Sequence, residues 1–233
     1  QASTALDADT MAALRHIATR RRLDLRIVGE AGEAIRLIRT TPIPGGQVLE
    51  IEAGGTRHEI TIALPGRFQA DNALVAAALA EVTGVPDALA RLPGLVGVRG
   101  RMELAATLPN GAAVYVDYAH TPDALERLLT ALRPHTTGRL HIVFGAGGDR
   151  DPGKRPLMGE AVARHADRAI VTDDNPRTEN PTAIREAVLA GMSTLPTARA
   201  RGNRAEAIAE ALADLQPGDV LAVAGKGHEQ GQT

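Results

Sequence analysis

Cysteine and tryptophan are absent from this 233-residue chain, and Phe68, Phe144, Tyr115 and Tyr118 are all of its phenylalanine and tyrosine. Without cysteine there is no disulfide framework and no thiol nucleophile, so a reducing compartment fits and a cytoplasmic location is expected. With so few rings, the core must be built from Leu, Ile, Val and Ala. Neither sign of charge dominates: 26 Lys and Arg face 28 Asp and Glu, for a formal net charge of -2. That balance gives no support for a nucleic-acid surface or a polybasic membrane anchor. No apolar run reaches membrane-spanning length, and no signal peptide is visible. Also missing are a Gly-x-Ser-x-Gly elbow and a histidine cluster with metal-ligand spacing. The chain opens on Gln1 and stops at Thr233 in a glycine-rich polar stretch, so a fragment of something longer is expected.

What is present is an ordinary globular composition, 44% hydrophobic and 23% charged, sufficient for one large or two small domains. Asp7 to Arg22 has helical spacing, with Met11, Leu14, Ile17 and Ala18 on one face. Short β-like runs follow at Leu25–Val28, Ile35–Arg39, Val48–Ala53 and His58–Ala63, the last two joined by a Gly54-Gly55 hairpin. An apolar helix is expected from about Gln69 to Val82, then a short helix to Leu92. Pro93 to Gly100 is rich in glycine and reads as a linker. Beyond it strands alternate with helices: Ala113–Asp117, Leu140–Phe144, Ala169–Thr172 and Val220–Ala224 against Pro122–Leu132, Arg155–His165, Pro181–Met192 and Arg204–Leu215. Apolar strands read as buried on both faces, in such alternation, predict an α/β, Rossmann-like, mainly parallel doubly wound sheet.

The polar signals follow the strands. Asp173-Asp174-Asn175-Pro176-Arg177 leaves Ala169-Ile170-Val171, with Pro176 stiffening the turn and Asn180-Pro181 starting the next helix. Acidic residues and Asn-Pro are also ordinary turn formers. Gly145 to Arg155 contains Gly148-x4-Gly153-Lys154, but Arg155 replaces the Ser or Thr that a P-loop needs for magnesium, and Asp149 and Asp151 would repel phosphate. What remains is a glycine loop offering Arg150, Lys154 and Arg155, suited to a carboxylate or simply to a tight turn with solvated charges. Asp117-Tyr118-Ala119-His120-Thr121-Pro122-Asp123 offers Asp117 for a metal-bound water or a ribose hydroxyl and His120 for a phosphate. Thr121 or Asp123 would cap the next helix there. Gly225-Lys226-Gly227-His228-Glu229 lacks the second histidine of a zincin, so Glu229 suits an ammonium better than a metal. Arg101 could clamp a phosphate or be merely solvated. All but Arg101 lie at strand ends, as one cleft would require.

In this order the motifs resemble the Mur ligase family, ATP-dependent amide-forming enzymes of peptidoglycan assembly. Leu64-Pro65-Gly66-Arg67-Phe68-Gln69-Ala70-Asp71-Asn72 is similar to the segment that ends the family's central ATP-binding domain, although Gln69 departs from the usual Asn and takes no role. Gly100-Arg101-Met102-Glu103 and Asp117 to Pro122 resemble the start of its C-terminal domain. Asp174-Asn175-Pro176-Arg177, supported by Gly148 to Asp151 and Gly225 to Glu229, resembles the signature of the family's diaminopimelate-adding branch. The resemblance implies that residues 1–97 are the rear of the central domain and 98–233 a C-terminal domain truncated at its end.

It further implies that Arg150, Asp174, Asn175, Pro176, Arg177, Gly225 and Glu229 hold meso-diaminopimelate, and that Asn72, Arg101, Asp117 and His120 lie around ATP. The implied reaction joins meso-diaminopimelate to UDP-MurNAc-L-Ala-D-Glu through an acyl phosphate, with Mg2+ bound outside this chain. No true P-loop, upstream magnesium-binding lysine segment or UDP-binding domain is found, so the chain alone is expected to be inactive. Nucleic acid and membrane are not expected partners, and a monomer is expected. The alternatives are a lysine-adding or folylpolyglutamate-type ligase, which the Asp-Asn-Pro-Arg signature disfavours, or a free-standing amino-acid-binding module.

Overall fold

The computed structural model describes residues 2–3, 6–229 and 231, which divide into two compact units, 1–96 and 97–233. In the first, β1 (Ala2–Ser3) precedes α1 (Ala8–Arg21), β2 (Ile27–Gly29), β3 (Ile35–Ile43), β4 (Gly46–Ala53), β5 (Thr56–Ile62) and α2 (Arg67–Val82). The five strands lie in sequence order, parallel from β1 to β3 and antiparallel from β3 to β5. Gly54 and Gly55 both take positive φ, 56° and 76°, as a two-residue hairpin turn requires. Strand β3 runs past Arg39 and through Pro42, further than the apolar pattern suggested. Pro42 is tolerated because β2 pairs only with residues 35–36, leaving that end of β3 as an edge. Val28, Leu37, Leu49, Ile51, Ile60 and Ile62 are buried in one core with Ala70, Ala73, Leu74 and Ala77 of α2. Pro93 and Gly94 do not begin a linker. They close a 3-10 turn, Leu89–Gly94, whose Leu92 is buried in the same core.

The second unit holds β6 (Glu103–Thr107), β7 (Ala113–Val116), α3 (Pro122–Leu132), β8 (Leu140–Phe144), α4 (Lys154–His165), β9 (Arg168–Val171), α5 (Pro181–Leu189), β10 (Arg199–Ala200), α6 (Arg204–Ala213) and β11 (Val220–Val223). Its sheet runs β10-β9-β8-β11-β7-β6 and is parallel except for β6. From β7 the chain steps through β8, β9 and β10 in one direction, then returns through α6 to place β11 between β8 and β7. Right-handed crossovers put the outbound helices on one face and the returning helix on the other. Accordingly Leu125, Leu129, Met158, Val162, Ile184 and Val188 pack with Phe144 and Val171. Ala207 and Ala211 of α6 pack with Val143, Ile170 and Leu221 on the opposite side. Strand β8 is buried at all five positions, which explains its apolar run, interrupted only by His141.

The antiparallel β6 escaped the periodicity reading because its Ala-rich residues are mostly exposed and show no alternation. Thr121 and Asn180, both expected as caps, accept hydrogen bonds from the first-turn N–H groups of α3 and α5, and Asn203 does the same for α6. At the opposite end of the sheet from the polar loops, His141 and Asp219 form a buried pair 3.1 Å apart. Asp219 also accepts from the Arg139 and Gln216 N–H groups. Burial pushes His141 below its usual pKa against the opposing pull of Asp219.

Candidate functional site

Four neighbouring strands, β9, β8, β11 and β7, send their carboxyl ends into loops 172–180, 145–153, 224–229 and 117–121. The order is set by the late insertion of β11, so Gly225 and Glu229, last in the chain, come to lie between loops drawn from its middle. The loops enclose an open cleft of about 370 Å³. Arg150, Asp174, Asn175, Arg177, Gly225, Glu229 and His120 all line it, as do Tyr118, Lys154 and Arg155. A polar cleft at strand carboxyl ends beside a reversal of strand order is where open α/β sheets take ligands.

Loops 145–153 and 172–180 are fastened together. The Gly148 N–H donates to the Asn175 carbonyl at 2.8 Å, and Arg177 Nη1 donates to the Gly148 carbonyl at 2.6 Å. Thr178 Oγ1 donates to Asp149 at 2.6 Å. Glu179 accepts from the Asp149 N–H at 2.6 Å and from Arg155 Nη2 at 2.7 Å. Arg177 adopts φ 52°, a left-handed conformation costly for a side-chain-bearing residue, and these bonds hold it there. Its Nη1 also lies 3.4 Å from the Asn175 carbonyl. Nε and Nη2 have no hydrogen-bond partner among the described residues, leaving an edge able to grip a carboxylate.

The cations that the glycine loop offered as a group are not equivalent. Arg155 is buried, 6% exposed, and its Nη2 donates to Glu179 and to the Gly147 carbonyl, while its buried Nε has no partner among the described residues. It is a brace. Arg150 is exposed in the cleft and has no hydrogen-bond or ion-pair partner among the described residues. The hydrogen bond from Arg155, reinforced by the Asp149 N–H, holds Glu179 below its usual pKa of 4.5. A lowered folded pKa means that the fastening is complete above about 4.5 and is lost as pH falls through the lower folded value. Protection of the Asp149 amide from hydrogen exchange, corrected for intrinsic rate, is expected to fall across that acidic window. Glu179→Gln should show weaker protection above that window and no such step.

Asp174 is buried, 8% exposed, and follows β9 at the cleft floor. Lys226 Nζ lies 3.6 Å from Oδ1 and Arg204 Nη1 3.9 Å from Oδ2. Lys226 also donates to Asn175 Oδ1 at 3.0 Å. Neither cation drew notice in the sequence as a ligand-site residue. Lys226 stood in a strand-end motif that could have flagged it, whereas Arg204 gave only the signal of a helix start. Gly225 takes φ 110°, and a Cβ there would stand 2.8 Å from Asp174 Oδ2. Its lack of a side chain is therefore needed twice over.

At the other wall, the Tyr118 hydroxyl donates to Glu229 Oε1 at 3.0 Å, and this bond raises the pKa of the phenol. Arg101 stacks over the Tyr118 ring at 4.7 Å, an interaction a solvated linker arginine would lack. His120 Nδ1 lies 2.7 Å from the Tyr118 carbonyl, which can only accept, so Nδ1 carries the proton. Asp117 accepts from the Met102 N–H at 2.8 Å and from the Ala119 N–H at 2.7 Å, tying the loop to the start of β6. Asn72 stands on α2 of the first unit, 3.4 Å from Gln69 Oε1. Among the described residues no three His, Asp or Glu side chains converge as metal ligands.

The chain is 55% identical over 207 residues to a UDP-N-acetylmuramoyl-L-alanyl-D-glutamate--2,6-diaminopimelate ligase of Caulobacter vibrioides, spanning 88% of this chain and 42% of that protein. It is 49% identical over 230 residues to the protein of the same name from Bradyrhizobium diazoefficiens, spanning 98% and 46%. The chain thus spans less than half the length of these curated relatives. A solved structure of the same name superposes with a TM-score of 0.75 at 30% identity, covering 99% of this chain and 48% of the other. A Mycobacterium tuberculosis folylpolyglutamate synthase complexed with ADP and AMPPCP shares the fold, with a TM-score of 0.66 at 23% identity over 94% and 50%. Residues 100–227 match the model of the Mur ligase glutamate ligase domain, and the chain belongs to the Mur ligase family.

Proposed function

We propose that this chain is the amino-acid-accepting part of an ATP-dependent ligase that joins meso-diaminopimelate to UDP-MurNAc-L-Ala-D-Glu. The observation that carries this reading is the set of charged groups around one cleft that keep hydrogen-bonding capacity, Glu229 still having Oε2 beside the oxygen that accepts from Tyr118. Arg150 and the outer edge of Arg177 can each take a carboxylate, while Asp174 and Glu229 can each take an ammonium. A ligand with an amino-acid group at both ends matches that set. Asn175 and Pro176 set the spacing between Asp174 and Arg177, and Gly225 leaves room beside Asp174. Lysine lacks the carboxylate that Arg177 would meet.

In this reading ATP phosphorylates the terminal carboxylate of the UDP-linked dipeptide. An amine of diaminopimelate attacks the acyl phosphate, and the tetrahedral intermediate collapses to the amide and phosphate. The residues of this chain hold and orient the attacking amino acid, which converts an encounter of two solutes into a reaction between fixed neighbours. Arg101 offers a guanidinium for nucleotide phosphates, and His120 and Asp117 of the same unit are assigned to ATP with it. Residues 1–97 serve as the rear of the ATP-binding domain and 98–233 as the acceptor domain. No step is assigned to magnesium through these residues. A cytoplasmic monomer fits the reading.

Calorimetry of the 233-residue chain with meso-diaminopimelate, lysine and glutamate tests it. Meso-diaminopimelate is expected to bind best, with no ATP hydrolysis or tripeptide synthesis by the chain alone. Preference for lysine or glutamate would sink the assignment.

A further inference from the structure

We propose that Arg204 is a positioning residue for the amino-acid site, holding the Asp174 carboxylate from beneath so that its free lone pairs face the cleft. The inference rests on the reading of that cleft as a diaminopimelate site. Three local features are each unfavourable alone and make sense together.

Arg204 is the first residue of α6, where the helix dipole disfavours a cation and where Asn203 already supplies the cap. Helix stability therefore does not account for an arginine here. Its side chain turns inward instead, 11% exposed, with Nη2 donating to the Ala224 carbonyl at 2.5 Å. Nη1 is buried without a hydrogen-bond partner among the described residues. A buried orphan donor is destabilising, and such a group calls for an explanation. Burial duly pushes the Arg204 pKa down, with Asp174 opposing.

The third feature is Asp174 itself. It is buried, yet its carboxylate accepts no hydrogen bond from the described residues. Arg204 and Lys226 stand at 3.9 and 3.6 Å, near enough to orient and stabilise the charge but too far to occupy its lone pairs. An ammonium from the ligand can then take those lone pairs. Lys226 cannot do the same work alone, because it is also committed to Asn175 and to the Gly231 carbonyl. Arg204 links the carboxyl ends of β9 and β11 through one guanidinium, which couples the Asp174 loop to the Gly225 loop.

The test is a double-mutant cycle of Arg204→Gln and Asp174→Asn in the 233-residue chain. It is read by calorimetry with meso-diaminopimelate and with 2-aminopimelate, which lacks one amino group, and by thermal midpoint. Arg204→Gln is expected to weaken diaminopimelate about tenfold or more and to erase most of its advantage over 2-aminopimelate. With Asp174→Asn already present, Arg204→Gln should add little further loss. Equal weakening of both ligands, or additive effects, would show a merely structural arginine and overturn the proposal. If the parent chain binds neither ligand, the reading of the cleft fails. The thermal cycle then decides the Arg204–Asp174 coupling by itself: additive midpoints overturn it and non-additive midpoints support it. Should Arg204→Gln not fold, Arg204→Lys takes its place in the same ligand comparison, and the same results support or overturn the proposal.

Discussion

Replacing Arg177 by methionine is expected to weaken meso-diaminopimelate binding by about 100-fold while leaving lysine binding nearly unchanged. Methionine keeps much of the stem volume and removes the guanidinium. In the parent, Nη1 is anchored to the Gly148 carbonyl, and the Nε–Nη2 edge is left for the ligand. That edge can pair with a carboxylate through two parallel hydrogen bonds, which lysine cannot use because it has no second carboxylate. The left-handed φ of 52° at Arg177 sharpens the expectation, since the backbone holds the side chain in one direction before any ligand arrives. Calorimetry with both amino acids measures the change in preference. An Arg177→Met protein that still discriminates as the parent does would remove Arg177 as the selector.

Gly148→Ala is expected to cost about 3 kcal/mol or more and to abolish ligand binding, because the two loops cannot stay in contact. An alanine Cβ would stand 1.9 Å from the Pro176 carbonyl oxygen and 2.7 Å from its carbon. Those atoms are backbone and cannot rotate away. The same glycine donates to Asn175 and accepts from Arg177, so any shift that relieves the clash breaks the bonds that hold the selector in place. Gly94→Ala, with nothing within 4 Å of the added carbon, is the matching control and should be nearly silent. Chemical denaturation and calorimetry together give the answer. An unchanged unfolding midpoint with intact binding would show that the loops are not interlocked.

Much of the site could be read from the chain before its fold was known, because each polar cluster directly follows an apolar strand. That arrangement reveals position: a run such as Ala169-Ile170-Val171 must be buried, so Asp174 emerges at its end. It does not reveal which charges are already satisfied. Arg150 and Arg155 looked alike in one glycine loop, yet one is exposed in the cleft and the other is buried on Glu179. Arg204 looked like the start of a helix, since its partner Asp174 lies thirty residues away. Ion pairing between separate elements has no local signature.

What the sequence by itself determined was the set of local elements. Strand burial, helix caps and the glycine turns follow from hydrophobic period and backbone sterics over a few residues, and those forces act without knowledge of the rest of the chain. Only the tertiary structure decided the strand order, the antiparallel β6 edge and the company kept by Asp174. The late insertion of β11 between β8 and β7 brings Gly225, Lys226 and Glu229 to loops fifty or more residues earlier. The physical reason is that pairing and burial between distant segments depend on how crossovers pack against one sheet, a choice shared by the whole unit.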